Sequence, residues 1–80
     1  MSETVLVRYF AAARQAAGRS QEEIAAGRLG EVVATAAARH PGLAPVLARS
    51  TYLIDGRRAD SDQLVSPGAT VDVLPPTAGG

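Results

Sequence analysis

Residues 4–10 read TVLVRYF. Val5, Val7 and Tyr9 alternate with Leu6, Arg8 and Phe10, so both faces of the extended segment carry apolar groups. That pattern predicts a first strand placed centrally in a sheet. Downstream, AAARQAA (11–17) is built of good helix formers and stops at Gly18, which predicts a short helix with a glycine cap. Residues 19–26 have weak strand propensity. Ser20, Glu22 and Ile24 would share one face, and we read an edge strand whose charges protect it from unwanted pairing.

The rest of the chain follows from hydrophobic spacing. Leu29, Val32, Val33, Ala36, Ala37 and His40 recur at helical intervals, which predicts the main helix over 29–40, ended by Pro41-Gly42. Leu43, Val46 and Leu47 pack beneath the following loop. TYLI (51–54) is a strand, Asp55-Gly56 signals a type I′ hairpin, and 57–59 is the short return strand. Residues 60–66 carry Leu64 and Val65 towards the core. Pro67-Gly68 is a turn. ATVDVL (69–74) is the last strand, with Val71 and Val73 on one face and Leu74 on the other, and Pro75 closes it because proline donates no ladder hydrogen bond.

One long helix across a mixed four- to five-stranded sheet is a two-layer α+β arrangement. With the helix after an N-terminal hairpin, the economical topology is the ubiquitin-like β-grasp, whose first and last strands pair in parallel at the sheet centre. The chain divides into a β-grasp domain over 1–74 and an extended tail over 75–80.

Composition narrows the function. The 80 residues are 46% hydrophobic and 20% charged, a globular profile with room for one core. The formal net charge is zero, which argues against nucleic acid and anionic membranes as main ligands. There is no cysteine, which excludes a disulfide scaffold, a thiolate metal site and a cysteine nucleophile. His40 is the only histidine. No segment has the length of a signal peptide or a membrane span, so cytoplasmic residence is the expectation. All eight basic residues are arginine, so the chain offers no side-chain amine for a Schiff base or an isopeptide bond.

Inside the domain the inventory for chemistry is thin. No serine has a histidine at a suggestive spacing, and neither GxSxG nor GxxxxGK[ST] occurs. Asp60 and Asp62 resemble a fragment of an ion loop, but the other ligands and the loop glycine are missing, so loop solvation or helix capping is the better reading. His40 fits the end of the long helix, where an imidazole favours the dipole. Arg57-Arg58 reads as a solvated turn or as a contact for an acidic partner.

What remains is LPPTAGG (74–80). A terminal carboxylate is activated by adenylation, and the acyl adenylate accepts sulfide, persulfide, thiol or amine. Such chemistry needs shelter from water inside another protein, so the carried group must reach in. Gly79-Gly80 would thread a narrow channel, having no Cβ. Pro75-Pro76 would hold the base extended and limit the entropy lost on binding. Thr77 and Ala78 are small enough to follow. Pro75–Gly80 would reach roughly 15–20 Å beyond the sheet.

VRYFAAARQAAG (7–18), ARHPGL (38–43), YLIDG (52–56) and DQLVSPGATVDVLPPTAGG (62–80) carry a resemblance over essentially the whole chain. The sequence resembles the MoaD family of molybdopterin synthase small subunits, within the wider MoaD/ThiS sulfur carriers. It departs at Ala69-Thr70, in a turn where the family usually carries acidic residues. The resemblance implies that Gly80 is adenylated with ATP by a MoeB-like partner similar to ubiquitin-activating enzymes, then converted to a thiocarboxylate with sulfur from a donor protein. It implies that the tail enters a MoaE-like large subunit and gives its sulfur to cyclic pyranopterin monophosphate, building the dithiolene of molybdopterin. The chain is then a carrier that binds no cofactor, with the catalytic side chains on the large subunit.

In that scheme Gly80 is the covalent carrier, Gly79 the neck, and Pro75 and Pro76 align the tail. Phe10 and Leu74 match apolar family positions near its root, which implies a partner-facing patch, although core packing fits Phe10 equally well. At Arg58 some relatives place an apolar partner contact, which arginine does not reproduce. Carriers for cysteine or thiamine synthesis, and modifiers joined to lysines of other proteins, share the Gly-Gly end. Thiamine carriers are usually shorter and lack a segment like AAARQAAG, which favours the MoaD branch.

Overall fold

A computed structural model describes residues 3–76. The strands are β1 (Thr4–Tyr9), β2 (Gln21–Ala25), β3 (Gly27–Arg28), β4 (Thr51–Ile54), β5 (Arg57–Arg58), β6 (Leu64–Val65) and β7 (Thr70–Leu74). The helices are α1 (Ala11–Ala17), α2 (Leu29–Arg39) and α3 (Ala44–Leu47), with a 3-10 turn at Pro41–Leu43. The main sheet runs β2-β1-β7-β4-β5, and β3 and β6 form a separate two-stranded ladder. β1 pairs with β7 in parallel at the sheet centre, Val7 opposite Val71 and Arg8 opposite Asp72. This is the ubiquitin-like β-grasp that the two-sided pattern of TVLVRYF predicts.

The core lies between the sheet and α2. Val5, Val7, Tyr9, Ile24, Val71 and Val73 point towards the helix side and are buried, as are Leu29, Val32 and Ala36 on α2. Leu43 and Leu47 are buried after the long helix, as expected, whereas Val46 is only half-buried. Gly18 ends α1 with φ of 73°, and its N–H reaches the Arg14 carbonyl. Asp55 and Gly56 both have positive φ, 48° and 83°, as a type I′ hairpin requires.

Several expectations change. β1 ends at Tyr9, and Phe10 is the extended residue that starts α1. The long helix ends at Arg39, with His40 as its cap. β3 and its ladder with β6 were not legible in the sequence. In that ladder Val65 is buried but Leu64 is 64% exposed, contrary to the expectation that both face the core. A two-residue strand sends its side chains to opposite sides, and only one side faces the protein. Asp60 and Asp62 do not cap α2 with their side chains. The intervening loop caps it with backbone, the Ser61 and Gln63 carbonyls accepting from Gly30 and Leu29.

β2 is an edge strand guarded by charge, as expected, but Glu22 is not among the guards. Glu22 does not stand out as an exposed charge; its side chain is 4% exposed. The guards are arginines. Arg19 Nε donates to the Gln21 carbonyl at 3.1 Å and an Arg39 Nη1 donates to the Glu23 carbonyl at 2.9 Å. Both carbonyls belong to residues whose backbone groups face away from β1, since Ser20 and Ala26 make the bonds to it. An added strand would have to displace both guanidinium groups.

Candidate functional site at the root of the C-terminal tail

β7 is the strand that leads into the tail, and it is flanked by β1 and β4. Leu74 ends it, half-buried, opposite Thr51 of β4. Pro75 is half-buried and Pro76 is exposed. Thr77, Ala78, Gly79 and Gly80 lie outside the described residues, so the roles expected of them rest on sequence.

The sheet has one face covered by helices and one face open. The register places Gln21, Arg8, Asp72, Leu53 and Arg58 in one row across the open face. Phe10 continues β1 in extended conformation, φ −122° and ψ 152°. It therefore falls beside Leu74 on that face, one row nearer the tail. Phe10 is 38% exposed, so it is not a core residue. Phe10, Leu74 and Arg58 thus share the open face. Arg58 stands three strands and one row from Phe10, a separation of roughly 16 Å.

Two groups on this face escaped the sequence reading as a pair. Arg8 Nε donates to Asp72 Oδ1 at 2.6 Å and Arg8 Nη2 to Oδ2 at 3.0 Å. This bidentate pairing, first through its hydrogen bonds and then through charge, raises the Arg8 pKa further above its ordinary value. The Arg8 guanidinium carbon also lies 5.6 Å from the centroid of the Phe10 ring, within cation–π range. Asp72 is thus linked through Arg8 to Phe10 at the tail root. The signal was available: opposite charges at the middle of two strands expected to pair in parallel.

On the helix side the tail root borders a groove of about 170 Å³, lined by Ala12, Pro45, Val46, Arg49, Pro75 and Pro76. No spacing along the chain marks it, because its liners come from three separate segments. A larger depression, about 330 Å³, lies between the start of α2, the end of α3 and the β5–β6 loop. Arg58 and Tyr52 border it, but neither Pro75 nor Pro76 does, so size does not mark the site here.

His40 and Glu22 form the other polar cluster. Glu22 accepts hydrogen bonds from the Tyr9 hydroxyl at 2.6 Å and His40 Nε2 at 2.7 Å, and Arg39 Nη1 lies 3.3 Å from its other oxygen. Burial works to raise the Glu22 pKa. The hydrogen bonds from Tyr9 and His40, attraction to His40 and the Arg39 contact outweigh it and hold the carboxyl below its ordinary range. The cluster ties the end of α2 to β1 and β2. His40 is therefore structural, as expected, but through Glu22 rather than through the helix dipole alone. Among the described residues no group of three histidine, cysteine, aspartate or glutamate side chains is placed to hold a metal. No helix of the described residues is long and apolar enough to cross a membrane.

Comparison with known proteins adds the decisive observation: the model of the ThiS family matches residues 7–80. The chain belongs to the ThiS family. Its ubiquitin-like β-grasp is shared with the ThiS/MoaD-type proteins. No curated protein matches its sequence at a significant level. Among solved structures, a candidate molybdopterin converting factor subunit 1 from Pyrococcus furiosus is 29% identical, with 95% of this chain and 100% of that one covered and a TM-score of 0.85. Small archaeal modifier protein 1 from Methanosarcina acetivorans is 21% identical, covering 100% and 99%, with a TM-score of 0.88. The complex of subunits 1 and 2 of molybdopterin-converting factor from Helicobacter pylori matches at 22% identity, 96% and 99% coverage and a TM-score of 0.72. The latter two likenesses carry the β-grasp of this ThiS-family chain.

Proposed function

We propose that this ThiS-family protein is the sulfur-carrying small subunit of a molybdopterin synthase, with the Gly80 carboxylate as the carrier. The observation that carries the reading is that the family match runs through residue 80, so it includes the PP-x-x-GG segment. The likeness to molybdopterin converting factor subunit 1 supports the molybdopterin branch.

The chemistry runs in three steps. The carboxylate oxygen attacks the α-phosphorus of ATP on a MoeB-like protein, and pyrophosphate leaves. A sulfur nucleophile from a donor protein attacks the acyl carbon and AMP departs; where the donor is a persulfide, a second thiol then reduces the acyl disulfide and leaves as a disulfide with the donor, so that Gly80 ends in a thiocarboxylate. Inside a MoaE-like large subunit, like subunit 2 in the Helicobacter pylori complex, that sulfur attacks an oxygen-bearing carbon of cyclic pyranopterin monophosphate, and the carbon–oxygen bond there breaks, its oxygen leaving on phosphate or as water. Water supplies the oxygen that restores the carboxylate. A dithiolene holds two sulfurs, so each product needs two loaded tails.

The chain's own contribution is positioning. β7 fixes where the tail leaves the sheet, Pro75 and Pro76 direct it, Thr77 and Ala78 fit a channel, and Gly79 leaves the neck slender. Phe10 and Leu74 give the partner an apolar contact beside the exit, and Arg58 places a cation farther along the same face. Catalytic side chains belong to the large subunit.

The test is reconstitution. Chain carrying the thiocarboxylate is mixed with the large subunit and cyclic pyranopterin monophosphate, and molybdopterin is measured by its oxidised fluorescent product. Turnover that disappears on deletion of Gly80 supports the reading. A loaded chain that converts no precursor but restores cysteine or thiamine synthesis sinks the molybdopterin branch. Conjugates to lysines of other proteins, in place of thiocarboxylate, would assign the chain to the modifiers.

A further inference from the structure

Phe10 is the only phenylalanine in the chain, and it stands 38% exposed where β1 gives way to α1. An aromatic ring left in water moves between χ1 rotamers, and a partner that uses it must stop that motion on binding. Here the ring has a fixed neighbour. Arg8 lies two residues back on the same face of the strand, and its guanidinium carbon sits 5.6 Å from the ring centroid. That guanidinium is held in turn by both oxygens of Asp72, through Nε at 2.6 Å and Nη2 at 3.0 Å. Two parallel hydrogen bonds fix the plane of the fork as well as its place. Asp72 is itself anchored. It stands on β7 directly opposite Arg8 in the parallel pair, and its side chain is 11% exposed. Order at the sheet centre is thus passed along one side chain to the ring at the tail root.

We propose that Arg8, locked by Asp72, is a positioning residue that presets the Phe10 ring in the orientation in which it meets the large subunit. The proposal rests on the reading of Phe10 as a contact for that subunit, and deepens it by naming what holds the contact ready. Arg8 acts here without touching the partner, because its guanidinium is already engaged by Asp72 on one side and Phe10 on the other. A ring that is ordered before binding loses less conformational entropy in the complex. For one immobilised side chain that difference is about threefold to tenfold in affinity. The role asks for arginine in particular. Lysine keeps the charge but lacks the flat fork that pairs with a carboxylate and stacks on a ring at once.

Two variants remove the clamp. Arg8→Thr combined with Asp72→Thr leaves no lone charge, and two threonines pair well across strands. Arg8→Lys is the milder change and keeps the test open if the double variant folds poorly. In the free chain, three-bond couplings from Hα to the Hβ protons of Phe10 report its χ1 populations, with no other phenylalanine to overlap them. The parent should show one dominant rotamer and the variants averaged couplings. Averaging in the parent, or a single rotamer kept in both variants, overturns the proposal. Calorimetric titration with the large subunit then gives Kd for the parent and the variants, and for the same set carrying Phe10→Ala. With Phe10 present, loss of the clamp should weaken binding about threefold to tenfold. With Phe10→Ala it should weaken binding no further. An equal loss in both backgrounds would mean that Arg8 does not act through Phe10, and no loss in either would mean that it does not act at all; each overturns the proposal. If Phe10→Ala alone binds as tightly as the parent, this proposal falls and the carrier reading stands. If the parent does not bind the large subunit, the molybdopterin reading falls and takes this proposal with it.

Discussion

Arg8 holds Asp72 through two hydrogen bonds, at 2.6 and 3.0 Å, across the parallel pair of β1 and β7. Asp72 is only 8% exposed, although it lies on the open face of the sheet. The same guanidinium lies against the Phe10 ring. One side chain therefore satisfies a carboxylate at the sheet centre and steadies the aromatic residue beside the tail.

Arg8→Leu should lower the thermal midpoint, because it leaves the nearly buried Asp72 carboxylate uncompensated. Asp72→Leu in the same chain should recover much of that loss, since two apolar residues then pair across the strands. Thermal unfolding of both singles and the double variant is the measurement. Losses that simply add would show that the pair does not act as a unit.

Phe10→Glu should leave the fold intact, because Phe10 is 38% exposed and lies outside the core. It should weaken binding to the large subunit by about tenfold or more, as expected for loss of an aromatic contact near an interface centre. Calorimetric titration reads the difference. Unchanged affinity would remove Phe10 from the partner contact.

Glu22 makes stability depend on acid. Its carboxyl titrates below its ordinary value of 4.5 in the folded state. Its contribution is therefore fully present above the unfolded value and is lost as pH falls through the lower folded one. Melting followed from neutral pH to about pH 3 should show a fall below about pH 4.5. Glu22→Gln should lower the midpoint at neutral pH and flatten the acid limb. An identical limb in the variant would assign acid sensitivity to other carboxyls.

Both tyrosines are shielded. Burial pushes the Tyr52 hydroxyl up to about 12, while it donates to the Leu47 carbonyl at 2.7 Å. Burial and then the bond to Glu22 raise Tyr9 as well. Near-ultraviolet absorbance should show almost no tyrosinate in the folded protein at about pH 10, where an unfolded chain is half-ionised. These raised values contribute stability that is full below about pH 10 and lost as pH rises towards the folded values. Half-ionisation of the folded protein at about pH 10 would contradict the buried placement of both rings.

Leu43→Ala should cost about 2–5 kcal/mol, because Leu43 is fully buried where the 3-10 turn packs under the core. That is a large share of the stability of a small domain. Urea unfolding gives the value, and a loss near zero would mean that the site collapses around the missing side chain.

The sheet was legible wherever a segment was long enough to show its period. TVLVRYF gave the central strand, the Leu29–Ala37 spacing gave the covering helix, and Asp55-Gly56 gave its hairpin turn. Leu64 was misplaced because two residues carry no period, so its direction depends on the β3 partner. Glu22 was misread because its burial depends on Tyr9, Arg39 and His40, which meet only in the folded chain. Of the site, the tail and its apolar neighbours Phe10 and Leu74 could be named from sequence. The groove at Arg49 could not, since α1, α3 and the tail converge there only through tertiary packing.

The central claim is that Gly80 carries sulfur, and intact-mass measurement of the chain isolated from its native cell tests it most directly. The expected result is a fraction ending at Gly80 in which one carboxylate oxygen is replaced by sulfur, and which vanishes when the adenylating protein is absent. A chain that stays unmodified in the cell, and after incubation with ATP, the adenylating protein and a sulfur donor, would contradict it.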